Sequence, residues 1–408
     1  MLHPWIKEYI LLALQIDNFV KNKTGEKYID SYTGPQELNK LVESQGHKKI
    51  SNLKKSINEL KQELYQQNFN KNRSQFLRKH LQSMEMILNI LNNENISLAR
   101  KVKSCLDIDI KWISEDYFEH GINLFKKGLL GKQDIYKEFN KWYERNNYNN
   151  NDVNKKKEII YSVIKEVRNR TRKIVDLPEK ENIKVEMVSG RSFGAATWYL
   201  GDYCSLVQIN QELPLNLFYL LTIIIHELYP GHHTEHCLKE KYQLHELNYG
   251  EQQLFITNSP RLVIAEGIAE TAFDIIFTPE EAAEWMVKNI YNKLNIKTDD
   301  VNLPYLYRAA RFNSLDQICG NAAIMFNDGC TENEVRKYIK KYTLLPEELI
   351  NHVVNRFKTS LFKSIYSFSY FYGKKILKDL LDKEEKQIDI FNSLLKEETY
   401  PSLLLKKY

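Results

Sequence analysis

No two of the five cysteines form a C-x-x-C pair, and their number is odd. A disulfide framework is excluded on that ground, and the usage fits a reducing cytoplasm. Charge of one sign is also missing. The 58 basic and 53 acidic residues are interspersed and leave a net charge of only +5, so no single-sign field marks the chain for nucleic acid. Long apolar runs are absent too. The longest, around Leu213 to Leu228, is too short to span a bilayer and carries Asn216, His226 and Glu227. The opening Met1-Leu2-His3-Pro4-Trp5-Ile6-Lys7 has no basic segment, and no small-residue cleavage site follows its apolar stretch. Gly190 and Gly194 lack the spacing and the following Lys-Ser/Thr of a phosphate loop, and read as turn residues. There is no internal repeat. The expectation is a soluble cytoplasmic protein with neither nucleic acid nor membrane as partner, and of unspecified oligomeric state.

What remains is a chain of 408 residues, 43% hydrophobic and 27% charged, long enough to bury a large core in one domain or two coupled ones. Leu53, Ile57, Leu60 and Leu64 recur at helical spacing, as do Leu77, Leu81, Met84, Leu88 and Leu91. Asn146 to Asp152 has no apolar period and predicts a surface loop, with a helix from Lys155 to about Val175 after it. Past Asn182 the pattern changes. Ile183–Val188, Thr197–Leu200 and Tyr203–Asn210 read as strands, with a glycine turn from Ser189 to Gly194. Helices are predicted again over about 215–229, 232–247, 260–276, 279–293, 303–327, 331–341, 346–363 and 365–395, with Pro260, Pro279, Pro304 and Pro346 as start signals. The expected fold is mainly α: a large multi-helix domain with a small β element before the histidine-bearing helix. Residues 1–180 form its helical N-terminal region, and residues 181–408 a catalytic region packed with it as one unit.

Four of the ten histidines fall between His226 and His236, more than packing explains. His226-Glu227 ends the apolar run, the position of a zinc ligand followed by a general base. His232 follows six residues later. On an unbroken helix that gap is roughly 9 Å of rise and about 120° of rotation, too far for one ion. Pro230 and Gly231 lie between. Proline cannot donate to the His226 carbonyl, and glycine permits backbone paths closed to other residues. A break there swings His232 or His233 toward His226, and spacing alone does not choose between them. Glu266 and Glu270 face one way on the apolar 260–276 segment. A buried acid is costly unless it is paired or metal-bound. Glu266 is therefore the candidate third ligand, and Glu270 a partner for a ligand histidine. Two imidazoles and one carboxylate favour a single zinc ion, with Glu227 taking the proton of the attacking water.

His226-Glu227-x-x-Pro230-Gly231-His232-His233 resembles the signature of the domain of unknown function 885 family, mostly helical proteins placed among thermolysin-like (gluzincin) metallopeptidases. Glu266-Gly267-x-Ala269 resembles that family's Glu-Gly-Trp-Ala segment, with Ile268 in place of Trp. Ser369-Tyr370-Phe371-Tyr372-Gly373 is similar to its Ser-Tyr-x-x-Gly element. The likeness spans roughly residues 180–380. It implies His226, His232 and Glu266 as ligands, His233 as a contact to substrate or oxyanion, and Tyr370 as an oxyanion donor. The family's Arg-x-x-x-Asp-Thr-Gly-x-His stretch is poorly reproduced around Arg311 to Asp316. Arg308, Arg311 and Arg356 are candidate carboxylate clamps or surface ion pairs, and Tyr203–Asn210 is a candidate edge for an extended peptide. The expected activity is zinc-dependent hydrolysis of peptide amide bonds. Hydrolysis of a small non-peptide amide and a non-catalytic metal-binding protein are the alternatives.

Overall fold

The computed structural model describes residues 2–129, 131, 133–150, 152–191, 195–298 and 302–407. Helix dominates, and the N-terminal helices form where the apolar period predicts. Pro4–Thr24 opens with proline in its first turn and ends at Gly25, whose φ of 76° is the left-handed cap that glycine adopts freely. Ile50–Glu63 buries Leu53, Ile57 and Leu60. Lys71–Leu91 is capped by the Asn70 side chain and buries all five residues of its predicted stripe. Asp152 caps Val153–Thr171 in the same way.

These helices share one apolar core with the rest of the chain. A strand that the sequence pattern misses, Ile29–Tyr32, pairs antiparallel with Leu254–Ile256. Arg73 and Glu251 form a buried two-pronged ion pair at 2.6 and 2.7 Å. The Ser83 hydroxyl donates to the Asn258 carbonyl at 2.6 Å. The strand missed by periodicity is thus the one that joins the beginning of the chain to the helices of the site.

Asn182–Val188, Ala195–Gly201 and Cys204–Asn210 make a three-stranded sheet. Cys204–Asn210 lies in its middle, parallel to the first strand and antiparallel to the second. The sequence reading made this strand an edge for peptide addition. The pairing corrects that, because both its sides are occupied and Ala195–Gly201 is an edge instead. A two-residue turn with positive φ at Asp202 and Tyr203 closes the hairpin. Glu240 anchors it by accepting from the Asp202 amide and the Tyr199 hydroxyl. Ser192–Gly194 of the predicted glycine turn, and Asn151 of the predicted loop, lie outside the described residues. Asn147–Tyr148 in that loop pairs with Leu215–Asn216.

Two predicted helices are broken. The 303–327 segment divides into Leu303–Ala310 and Leu315–Asn327. The Asn313 amide donates to the carbonyls of Phe118 and Tyr342 at 2.9 and 2.7 Å, which draws the connecting residues out of the helix. Ser314 then caps the second piece. The 365–395 segment becomes Lys363–Tyr366, Phe368–Leu381 and Gln387–Lys396, separated after Leu381 by the charged run Asp382–Lys386. Among the described residues no helix is long and apolar enough to cross a membrane.

Candidate metal centre

Four helices build the site. Leu217–Glu227 starts at Asn216, whose side chain accepts from the Tyr219 amide and donates to Tyr143 and Asn147. Leu217, Phe218, Leu220, Leu221, Ile224 and Ile225 are buried, which fixes the direction in which His226 and Glu227 leave its last turn. The helix stops at Glu227, and a new one runs from His232 to Lys239. A cis Tyr229-Pro230 bond lies between them.

Gly231 is required there by space. Its φ is an ordinary −76°, but a Cβ on it would lie 1.8 Å from the His226 carbonyl oxygen. The sequence reading assigned this glycine to unusual backbone angles. The Gly231 ψ of −138° falls outside the α and β ranges open to other residues, in keeping with that reading, and close packing of the connection against the end of the first helix adds a second reason. The Gly231 amide donates to the Ile225 carbonyl at 3.2 Å, and the Thr234 amide and hydroxyl both reach Leu228. The turn is therefore tied down at both ends, and the His226 and His232 rings stand edge to face with centroids 4.8 Å apart.

Pro260–Ile276, buried on nearly every side, supplies Glu266 and Glu270. Phe368–Leu381 crosses it where Gly267 meets Gly373: a Cβ on either residue would come within 2.6 Å of the other helix's backbone. This close crossing brings Tyr366 and Tyr370 to the acid. The Tyr366 hydroxyl donates to Glu266 Oε1 at 2.8 Å, and the Tyr370 ring stacks near His226 at 6.4 Å.

Glu266 Oε2 lies 3.4 Å from His226 Nε2 and 3.7 Å from His232 Nε2, and one ligand atom from each of the three falls within 4.8 Å of the others. Three ligands about 2.0–2.1 Å from a tetrahedral ion stand roughly 3.4 Å apart, so the donor set fits zinc. Oε2 is also buried without a hydrogen-bond partner among the described residues, an uncommon state for a carboxylate oxygen. The Glu266 side chain is 3% exposed against about 20% for each histidine, so the centre opens on the imidazole side. Burial alone would raise the Glu266 carboxyl, but His226 and His232 hold it below its ordinary value. Burial opposes charge on His226 as well, yet Glu266, Glu227 and Glu270 carry it up to about 10 in the metal-free protein.

Glu270 Oε1 lies 3.6 Å from His226 Nδ1, an ion-pair separation, while Gln317 donates to Oε2 at 2.8 Å and Lys374 stands 3.8 Å away. Glu227 is half-buried beside the cluster and acts electrostatically on His226. Its side chain is thus close to the donor set without belonging to it.

His233 is placed elsewhere. It is fully buried, with Nδ1 2.7 Å from the Ser205 hydroxyl and Nε2 3.3 Å from Glu181 Oε2. With both nitrogens engaged it has none left for substrate or oxyanion, which corrects the role inferred from the resemblance. Glu181 also accepts from Tyr229 at 2.5 Å and from Arg168 at 2.6 Å. Burial favours the neutral acid, but His233, Tyr229 and Arg168 together keep Glu181 below its ordinary value. Of the arginines read as clamps or surface ion pairs, Arg308 pairs with Glu280 and Arg311 with Asp274, which is the ion-pair reading.

The sequence reading passed over Tyr366, Glu181, Asp30 and Asp316. Tyr366 sits four residues before Tyr370, a spacing that hints at a shared face, but one of 25 tyrosines gives little signal. Burial pushes the Asp30 carboxyl up to about 6, with His232 opposing the rise and Glu227 adding to it. Burial likewise raises Asp316, which Lys363 opposes and Glu270 and Glu266 reinforce.

No family model and no curated protein matches the chain. Among solved structures it is similar to one described as "the putative lipoprotein from Colwellia psychrerythraea", with a TM-score of 0.58 and 15% identity, over 86% of this chain and 65% of that one. The chain therefore spans 65% of the length of that protein. It also aligns with "a putative lipoprotein of unknown function from Shewanella oneidensis" at 12% identity and a TM-score of 0.49, over 92% of this chain and 73% of that one. The Colwellia likeness concerns the fold, and the chain is a mainly helical, multi-helix protein of that kind.

Proposed function

We propose that the chain is a zinc-dependent hydrolase of the metallopeptidase type, cleaving amide bonds in peptides. The observation that carries this reading is the buried Glu266 Oε2, which accepts no hydrogen bond among the described residues and stands at ion-pair distance from the nitrogens of two partly exposed histidines. His226, His232 and Glu266 would hold the ion. When bound, it would supply Lewis acidity for the substrate carbonyl and for the attacking water. Glu227, adjoining the ligand His226, takes the proton of that water as general base. Tyr370 remains protonated, since burial and Glu266 both raise its hydroxyl well above its usual range, and so it can donate to a developing oxyanion. Glu270 fixes the His226 ring from its far side. The likeness of the three motifs to the domain of unknown function 885 family supports the same assignment. We also place the chain in the cytoplasm, on its five unpaired cysteines.

Glu227→Gln tests the reading. Zinc content should be unchanged, and turnover of peptide substrates should fall by about 10²–10⁴-fold, the usual contribution of a positioned general base. Full activity in that variant would remove the base assignment.

A further inference from the structure

Glu270 is anchored by one oxygen and faces His226 with the other. Its Oε2 accepts from Gln317 Nε2 at 2.8 Å, and Lys374 stands 3.8 Å from the same oxygen. Its Oε1 lies 3.6 Å from His226 Nδ1. Gln317 is fully buried, and both ends of its amide are used. Nε2 also donates to the Arg311 carbonyl at 3.2 Å, and Oε1 accepts from the Tyr117 hydroxyl at 3.0 Å. Lys374 donates to the same Arg311 carbonyl.

This pattern fixes which way the amide points. Turned over, its carbonyl would face the Glu270 carboxylate and the Arg311 carbonyl, acceptors against acceptors. A donor on one side and two acceptors on the other leave a single orientation. The Tyr117 hydroxyl is held by its ring, which packs against Phe312 and Phe371 at centroid separations of 5.1 and 5.3 Å. Tyr117 belongs to Glu115–Leu129, a helix outside the four that carry the centre. The Asn313 amide donates to the Phe118 carbonyl and seats that helix against the connection that leads to Gln317. With Oε2 anchored in this way, Glu270 offers Oε1 to His226 Nδ1. A proton kept on Nδ1 leaves the Nε2 lone pair, on the nitrogen 3.4 Å from Glu266 Oε2, for an ion.

We propose that Tyr117 and Gln317 are positioning residues of the metal centre, which turn Glu270 so that His226 keeps its proton on Nδ1 and presents Nε2 to the ion. This rests on the metal-hydrolase reading above and extends the centre to a residue of the N-terminal helical region, three contacts from the ligand. Tyr117 acts through Gln317 and Glu270, so its effect must vanish when Glu270 is gone.

A double-mutant cycle on zinc affinity tests it, read on the full chain by competition with a chromophoric chelator. Gln317→Leu should weaken zinc binding by about 10–100-fold, and Tyr117→Phe, which removes one oxygen and keeps the ring, by about three- to tenfold. In a Glu270→Ala background Tyr117→Phe should change the affinity by less than about twofold, because the path it acts through is already cut. The His226 Nδ1 proton, followed by NMR of the zinc-loaded chain, should exchange with water faster in Tyr117→Phe than in the unaltered protein. Unchanged affinity in Tyr117→Phe overturns the inference. An equal loss with and without Glu270, which is what a purely structural role gives, overturns it as well. Tyr117→Phe decides the matter even where Gln317→Leu does not fold. An unaltered chain that takes up no zinc would sink the metal reading itself, and the zinc titration made first tells that result apart.

Discussion

Two histidine–glutamate clusters grow from the same short stretch of chain, and they are built on opposite principles. Around Glu181 every acceptor is used: Tyr229, His233 and Arg168 all converge on one buried carboxylate, and Ser205 completes His233. Around Glu266 one oxygen is buried and left open, and the two imidazoles beside it are partly exposed. The closed cluster holds the Tyr229–His233 turn in place, and the open one is left for a ligand. Neighbouring residues, His232 and His233, have opposite uses because a helix that begins at His232 points their rings in different directions.

The sharpest way to break this comparison is to empty the closed cluster. Glu181→Ala strands the buried Tyr229 and His233 polar groups, while the one-third-exposed Arg168 turns to water, and should cost about 2–4 kcal/mol of stability, read from denaturant midpoints. A loss below about 1 kcal/mol would mean that the network does not brace the turn. A smaller effect belongs to the open cluster. Tyr366→Phe removes the hydrogen bond that orients Glu266, and zinc affinity should fall by about 10–100-fold with the fold retained. Competition with a chromophoric chelator measures it, and unchanged affinity would remove Tyr366 from the site. A third effect concerns protons. His226 is raised to about 10 without metal, so it is protonated at neutral pH and must lose that proton to become a ligand. Zinc uptake at pH 7 should release about one proton, and affinity should rise roughly tenfold per pH unit up to that pKa. Calorimetry in buffers of different ionisation enthalpy reads the count, and zero release would contradict the pairing with Glu266.

The open cluster was more legible in the sequence than the closed one. A His-Glu pair at the end of an apolar run, Pro-Gly inside the following gap, and an acid in an apolar helix are all local patterns. The crossing of two helices at Gly267 and Gly373 appears only in three dimensions. The network around Glu181 left no local trace, because Arg168, Glu181, Ser205 and His233 meet across three elements. Asp30 was invisible for a similar reason: its four-residue strand is defined by a partner more than 200 residues away. Strand order failed in the same way, since alternation marks a strand but does not say whether it lies at the centre or the edge. The break at Asn313 depends on two distant carbonyls, and tertiary hydrogen bonds of that kind override a helical period.

The account stands most directly on the ligand set. Elemental analysis of the purified chain should find one zinc per molecule, lost in His226→Ala, His232→Ala and Glu266→Ala and kept in His233→Gln. Zinc that persists without His232 or Glu266, or that disappears with His233, would contradict it.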